Sequence, residues 1–311
     1  MGKATRQAYG EELEIIMHKN NKVVVFDADL SKSTKTFLSS QSFPDRHFNM
    51  GIAEANMICV AAGFAASGYT AFASSFAMFA SGRAWEQIRN SVAYPNLNVN
   101  ICATHAGISV GEDGVSHQAI EDIAIMKAIA NMEIYCPCDD LQTRAVINHV
   151  ADTPGPSYVR LGRSGVEDVY NHACEFNVKK ADLILEGHHV LIIATGLMVQ
   201  ESLKACEILK DQGINASLVN VCCIKPLDNE NLIPLIKAHN YIFTCEEHNI
   251  IGGLGESITS LASEYCPSLI KRIGMQDCFA ESGPFGKLLD KYNLNGEKIA
   301  KTIGQFLKER I

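Results

Sequence analysis

A carboxylate at the mouth of an apolar helix, and two histidines in a glycine-rich stretch, are the groups of this sequence best placed to do chemistry. Glu54 follows Gly51-Ile52-Ala53 and opens the run Ala55-Asn56-Met57-Ile58-Cys59-Val60-Ala61-Ala62-Gly63-Phe64-Ala65-Ala66. That run is apolar nearly all round, which predicts a buried helix rather than a surface one. An ionised glutamate in such a setting is costly to desolvate and needs a partner. The alternative is a first-turn glutamate favoured by the helix dipole and open to water. His105 and His117 lie in Ala103-Thr104-His105-Ala106-Gly107-Ile108-Ser109-Val110-Gly111-Glu112-Asp113-Gly114-Val115-Ser116-His117-Gln118-Ala119-Ile120-Glu121. His105 follows a buried-strand pattern, at the end where open α/β sheets place ligands. His117 is expected to open a helix, whose N–H groups favour anionic oxygens. Gly107, Gly111 and Gly114 would let backbone approach a ligand closely. Asp113 can form a turn in Glu112-Asp113-Gly114. Asp29 and Ser33 stand just past a strand, as site or capping residues. Phe76 and Phe79, three apart at a loop-to-helix junction, can share a face.

Three of these stretches carry a family resemblance. Gly51-Ile52-Ala53-Glu54 resembles the glycine-x-x-glutamate segment of the pyrimidine-binding domain of thiamine diphosphate enzymes. Ser74-Ser75-Phe76-Ala77-Met78-Phe79 resembles the aromatic loop of that family. The stretch from Ala103 to Glu121 resembles the transketolase active-site segment almost residue for residue. The likeness covers the whole chain and corresponds to the second half of a full-length transketolase. The chain is therefore similar to the C-terminal subunit of a split transketolase.

That resemblance implies a set of roles. Thiamine diphosphate stabilises carbanions, and its aminopyrimidine becomes a competent base when a carboxylate bonds the ring nitrogen. Glu54 would be that carboxylate. Phe76 and Phe79 would hold the flat ring, with stacking worth ~1 kcal/mol beyond area, and Asp29 would lie on the cofactor side. His105 would meet the substrate phosphate. His117 would contact hydroxyls near the reacting carbon and help move a proton. Asp113 would select a hydroxyl of correct stereochemistry. Arg6, Ser33 and Arg163 match phosphate-binding positions, and arginine suits phosphate through its planar fork. Taken alone, Arg6 and Arg163 read as surface residues, and Arg160 rivals Arg163. Ala53 and Ala55 stand where the family commonly has Arg and His beside the glutamate, and Gly82 where it often has Tyr.

The Gly-Asp-Gly and downstream Asn with which such enzymes hold a divalent metal are missing from this sequence, since Gly111-Glu112-Asp113-Gly114 is a different pattern. The expectation is that the chain contributes no metal ligand. Mg²⁺ or Ca²⁺ and the diphosphate would be held by an N-terminal transketolase subunit. The two chains would assemble as a dimer of heterodimers acting on sugar phosphates. Rival readings are half of a deoxyxylulose phosphate synthase, a 2-oxoacid dehydrogenase β subunit, or a catalytically silent assembly subunit. The wording of Gly111–Glu121 favours transketolase, while Ala53, Ala55 and Gly82 keep the silent reading open.

Apolar strands and helical patterns alternate along the 311 residues, which predicts an α/β fold of two doubly wound, mainly parallel sheets. The pyrimidine-binding domain is placed at 1–165, a linker at 166–179 and the C-terminal domain at 180–311. The first domain is expected to hold helices 4–18, 53–67, 77–93, 117–130 and 139–151. Its strands are expected at 22–30, 69–73, 98–104, 132–136 and 157–161. In the second, strands at 189–194, 216–221, 241–246 and 269–273 alternate with helices. Gly252-Gly253-Leu254-Gly255 lacks the third glycine of a dinucleotide motif and reads as a tight helix-entry turn.

A net charge of −8 argues against nucleic acid or an anionic membrane as partner. A hydrophobic content of 47% with 20% charged residues suffices for real cores. The 11 cysteines include Cys59, Cys102, Cys206, Cys222 and Cys223 in apolar runs, which suits buried thiols and a cytoplasmic protein. No apolar run reads as a membrane span. Lys179-Lys180 and Glu246-Glu247 read as solvated surface.

Overall fold

The computed structural model describes residues 2–171 and 177–310. Residues 172–176 of the expected linker lie outside the described residues. The first part of the chain supplies strands β1 (Val23–Asp27), β2 (His47–Asn49), β3 (Thr70–Phe76), β4 (Val99–Thr104), β5 (Glu133–Tyr135) and β6 (Ser157–Arg160). The second supplies β7 (Asp182–Leu185), β8 (Val190–Ala194), β9 (Ala216–Asn220), β10 (Cys223–Lys225), β11 (Tyr241–Asn249) and β12 (Leu269–Met275). One sheet runs β10-β5-β6-β4-β3-β1-β2 and the other β12-β11-β8-β9-β7. Pairing is parallel except at β10/β5 and β7/β9. The fold is thus α/β with two mostly parallel sheets and flanking helices, as the alternation predicts. The central strands β1, β3, β4, β8 and β9 are buried along their whole length, which explains their unbroken apolar runs.

Strand β10 crosses from the second half of the chain to the edge of the first sheet. It pairs Cys223 with Tyr135 and Lys225 with Ile134. Neither β10 nor the short β2 and β7 is expected from the sequence, because three or four residues show no period. Edge pairing of this kind covers backbone groups that would otherwise be open.

Several expectations need correction. The helix expected at 117–130 begins only at Asp122 and ends at Lys127, so His117 sits in a turn and not at a helix N-terminus. The helix expected at 77–93 is interrupted at Ala84 (φ −112°, ψ 14°) and continues with a π-type turn over Ile88–Ala93. The helix Glu54–Ala66 buries Met57, Ile58, Ala61 and Ala62 but leaves Asn56, Cys59, Gly63 and Ala66 exposed, so it is half covered within this chain. Glu246 and Glu247 are buried rather than solvated. Glu246 accepts N–H bonds from Leu254 (2.7 Å) and Gly255 (2.8 Å), so it caps the helix Leu254–Tyr265 from the neighbouring strand. The glycine-rich entry turn therefore wraps the protein's own carboxylate. Lys179 and Lys180 pair with Glu133 (2.5 Å) and Glu230 (2.6 Å).

A buried guanidinium joins the two halves. Arg160, at the end of β6, is buried. Its Nε donates to both carboxylate oxygens of Asp122 (3.1 and 2.8 Å), and its Nη2 donates to the carbonyls of Ala119 (3.1 Å) and Glu247 (2.9 Å). Tyr158 adds its hydroxyl to Asp122 at 2.8 Å. A buried ion pair is held only while both partners remain. Asp122→Ala leaves Arg160 charged and unpaired in the core, so we expect a loss of about 3–5 kcal/mol in unfolding free energy from urea titration. A loss below about 1 kcal/mol would contradict this placement.

Candidate active site

The carboxyl ends of β1, β3 and β4 lie side by side in the first sheet and bring the expected site residues to one edge. A continuous row of contacts crosses that edge. Glu54, 3% exposed, starts the helix Glu54–Ala66 and accepts from Arg83 Nη1 at 3.0 Å. The Arg83 guanidinium lies 4.1 Å over the Phe79 ring. Phe79 runs parallel to Phe76, with centroids 5.7 Å apart and planes at 19°. Phe76, the last residue of β3, stacks on His105 at 3.8 Å. His105 Nε2 meets Arg6 Nη1 at 3.1 Å, and the same Arg6 nitrogen donates to the Ser33 carbonyl at 2.8 Å. His117, from its turn, stands edge-on to Phe79 (5.2 Å) and Phe76 (6.0 Å).

The tautomer of His105 follows from its neighbours. A guanidinium has no acceptor, so Nε2 must accept from Arg6, and Nδ1 carries the proton that it donates to Thr104 Oγ1 at 2.8 Å. Burial, then the positive charges of Arg6 and Arg163, push its pKa down to about 3. His105 is neutral at physiological pH, and cationic charge in this corner belongs to the arginines. Its backbone is left-handed (φ 59°), uncommon for a non-glycine residue and consistent with a position held by its surroundings.

Arg6 sits in the first turn of the helix Thr5–Lys19, and its Nε is buried without a hydrogen-bond partner. Burial and then Arg163 lower its pKa, while Asp113 opposes them. Two arginines close enough to repel, one of them with a buried donor left unpartnered, make a site suited to an anion. Lys35 also acts on His105 electrostatically and carries no motif that would have singled it out in the sequence. Arg163 donates to the Val110 carbonyl and approaches Glu112 at 3.4 Å. Of the rivals Arg160 and Arg163, Arg160 is buried and bonded to Asp122 and to the carbonyls of Ala119 and Glu247, whereas Arg163 is partly exposed.

Other expected residues are placed differently. Ser33 accepts from Arg6 through its carbonyl. Asp29 is exposed, has φ 63°, and accepts from Asn49 Nδ2 at 3.1 Å, so it braces the loop after β1. Its neighbour Asp27 is fully buried on His47 at 2.7 Å. Asp113 is exposed at the rim.

Gly107 and Gly114 are required for a reason the sequence does not reveal. Both have φ 77°, and a Cβ would collide with the Glu247 carboxylate at Gly107 and meet Ser282 at 3.3 Å at Gly114. The close approach seen at both is by the second half of the chain. Glu247 also accepts the N–H of Ser109, and burial pushes its pKa up to about 7 against the opposing pull of Arg160. Arg83 and Glu247 are thus site-shaping residues that sequence reasoning passed over.

Among the described residues, no cluster of His, Cys, Asp or Glu is placed to hold a metal ion, and no helix is long and apolar enough to cross a membrane. The residues do fit the pyrimidine half of thiamine diphosphate. Glu54 Oε2 receives no hydrogen bond among the described residues, and the guanidinium that holds Oε1 also lies over the Phe79 ring, which puts an aromatic surface near the carboxylate.

Comparison with known proteins agrees with this geometry. Residues 1–168 match the model of the transketolase pyrimidine-binding domain, and residues 179–299 that of the transketolase C-terminal domain. A Methanocaldococcus jannaschii protein named for the C-terminal section of a transketolase is 49% identical over 99% of this chain and 97% of its own. A 6-deoxy-6-sulfo-D-fructose transketolase subunit of Clostridium sp. is 38% identical over 95% of this chain and 92% of its own. A solved split-gene transketolase, an inactive β4 tetramer, superimposes with a TM-score of 0.89 at 44% identity over 98% of both chains. The chain belongs to the transketolase family, as a split-transketolase-like subunit of the thiamine diphosphate-dependent enzymes.

Proposed function

We propose that the chain is the C-terminal subunit of a transketolase that moves a two-carbon ketol unit from a ketose phosphate to an aldose phosphate. The observation that carries this reading is the row from Glu54 to Arg6, with a buried carboxylate and aromatic face at one end and an arginine corner at the other. Residues 1–165 act as the pyrimidine-binding domain, 166–179 as linker and 180–311 as the C-terminal domain. An N-terminal subunit supplies the diphosphate and metal site, with Mg²⁺ or Ca²⁺, in a dimer of heterodimers in the cytoplasm.

Bound thiamine diphosphate supplies carbanion stabilisation at the former carbonyl carbon. The chain's own residues then divide the remaining work. Glu54 would hold the pyrimidine ring nitrogen and supply or take up a proton there, which needs a desolvated carboxylate with one free oxygen. Phe79, flanked by Phe76, offers the flat ring a stacking face. His117, at the edge of both rings, meets substrate hydroxyls and moves a proton among them. His105 is neutral and holds Arg6 towards the substrate's anionic tail, which Arg163 grips from the other side with Ser33 alongside. Asp113 at the rim meets a sugar hydroxyl, and Asp29 shapes the cofactor side of the loop.

The arginine pair would take any tetrahedral anion, so a sulfonated sugar such as that named for the Clostridium relative is a second substrate class. The test is ketol transfer by the chain with and without an N-terminal partner, Mg²⁺ and thiamine diphosphate. Activity should appear only in the mixture, and full turnover by the chain alone would contradict the division of the site. In the active mixture, Arg163→Ala should raise KM for phosphorylated or sulfonated sugars about tenfold or more, and far less for uncharged ones. Equal effects on charged and uncharged sugars would make Arg163 a structural residue only.

A further inference from the structure

Arg83 occupies the ground that the proposed pyrimidine site needs. Its Nη1 donates to Glu54 Oε1 at 3.0 Å, and its guanidinium carbon lies 4.1 Å over Phe79. Phe76 already stacks on His105 at 3.8 Å. Phe79 is therefore the ring to which a flat group could be added, and the guanidinium that bonds Glu54 lies over it. A guanidinium and an aminopyrimidine share the features that such a place selects. Both are planar, both present N–H groups at an edge, and both lie flat on an aromatic ring.

We infer that Arg83 is an internal stand-in for the cofactor's pyrimidine, pairing Glu54 and covering Phe79 until the ring displaces it. The inference rests on the reading of Glu54 and Phe79 as the pyrimidine site. Desolvation supplies the physical reason for such a device. Glu54 is 3% exposed, and a carboxylate so buried is costly without a counter-charge. Arg83 supplies that charge from the end of the helix Ala77–Arg83, and its own side chain is 51% exposed. Release returns the guanidinium to water at little cost, because half-exposed ion pairs are weak. Binding then exchanges one planar N–H donor for another and leaves Glu54 partnered throughout. A purely supporting Arg83 would keep Oε1 and leave Oε2 to the ring, but the same guanidinium could not then also remain on the Phe79 face.

The stand-in lowers apparent affinity by the fraction of molecules in which it is seated. Free thiamine carries the pyrimidine without the diphosphate and is the appropriate probe. It is titrated into the full chain and followed by ligand-observed NMR of the pyrimidine proton. Arg83→Ala should bind thiamine about three- to tenfold more tightly than the unaltered chain. Arg83→Lys, which keeps the charge but not the planar fork, should fall between them and serves as a second variant should the alanine form be poorly folded. Phe79→Ala and Glu54→Gln should both weaken binding. Unchanged or weaker binding by the Arg83 variants, with Phe79→Ala and Glu54→Gln weakened, overturns the stand-in and leaves the pyrimidine site intact. Insensitivity to Phe79→Ala and Glu54→Gln, or no thiamine binding by any form, overturns the site itself and the stand-in with it.

Discussion

The burial of Arg160 is the constraint on which the site's architecture depends. A guanidinium removed from water must have its donors met, and the structure meets them from three directions: the Asp122 carboxylate, the Ala119 carbonyl and the Glu247 carbonyl. Asp122 opens the helix after the histidine loop, Ala119 closes that loop, and Glu247 belongs to the other sheet. One side chain thereby ties β6, the loop and the second half of the chain. With Arg160 fixed, the Glu247 carboxylate falls where it can hold the Ser109 N–H, and Gly107 must lack a Cβ. The C-terminal half takes part in the site by bracing this loop, without contributing a side chain to the row from Glu54 to Arg6.

Charge is handled differently at the two ends of that row. At one end a buried carboxylate is paired with a half-exposed arginine that can leave. At the other, Arg6 and Arg163 repel each other around a neutral His105, with Asp113 offsetting Arg6 and the exposed Glu112 approaching Arg163 at 3.4 Å. A cationic corner with a buried unpartnered donor seeks an anion, whereas a paired carboxylate waits for a donor. The order carboxylate, ring, imidazole, guanidinium matches what a flat heterocycle followed by a sugar with an anionic tail would require.

Much of this was legible in the sequence, and the gaps have physical causes. Glu54, Phe76, Phe79, His105 and His117 stand in motifs carried by the family resemblance, and the structure brings them together, with Glu54 at a helix start, Phe76 and His105 at strand ends and His117 in a turn. The two-sheet fold follows from alternating runs such as Val23–Phe26 and Val190–Ile193, because fully buried parallel strands need no polar alternation. The burial of Glu247 was not legible, because it depends on a contact 138 positions away at Ser109. Adjacent glutamates read as surface until such partners are known. Arg83 was hidden within a stretch that reads as a single helix to Ala93, and the break at Ala84 leaves it at a helix end. The helix expected at His117 fails because the loop continues to Glu121 in tertiary contacts with the other domain. The exposed stripe Asn56, Cys59, Gly63 and Ala66 shows that apolar composition alone does not decide burial within one chain.

The account turns on Glu54 exchanging a proton with the pyrimidine ring. The direct measurement is hydrogen–deuterium exchange at the thiazolium C2 of thiamine diphosphate bound to the assembled complex, comparing the unaltered chain with Glu54→Gln. Glutamine keeps the size and some of the hydrogen bonding but cannot pass the proton. The account predicts intact assembly with C2 exchange slowed by about 10²–10⁴-fold. Exchange as fast in Glu54→Gln as in the unaltered complex would reduce Glu54 to a helix-start carboxylate and contradict the central assignment.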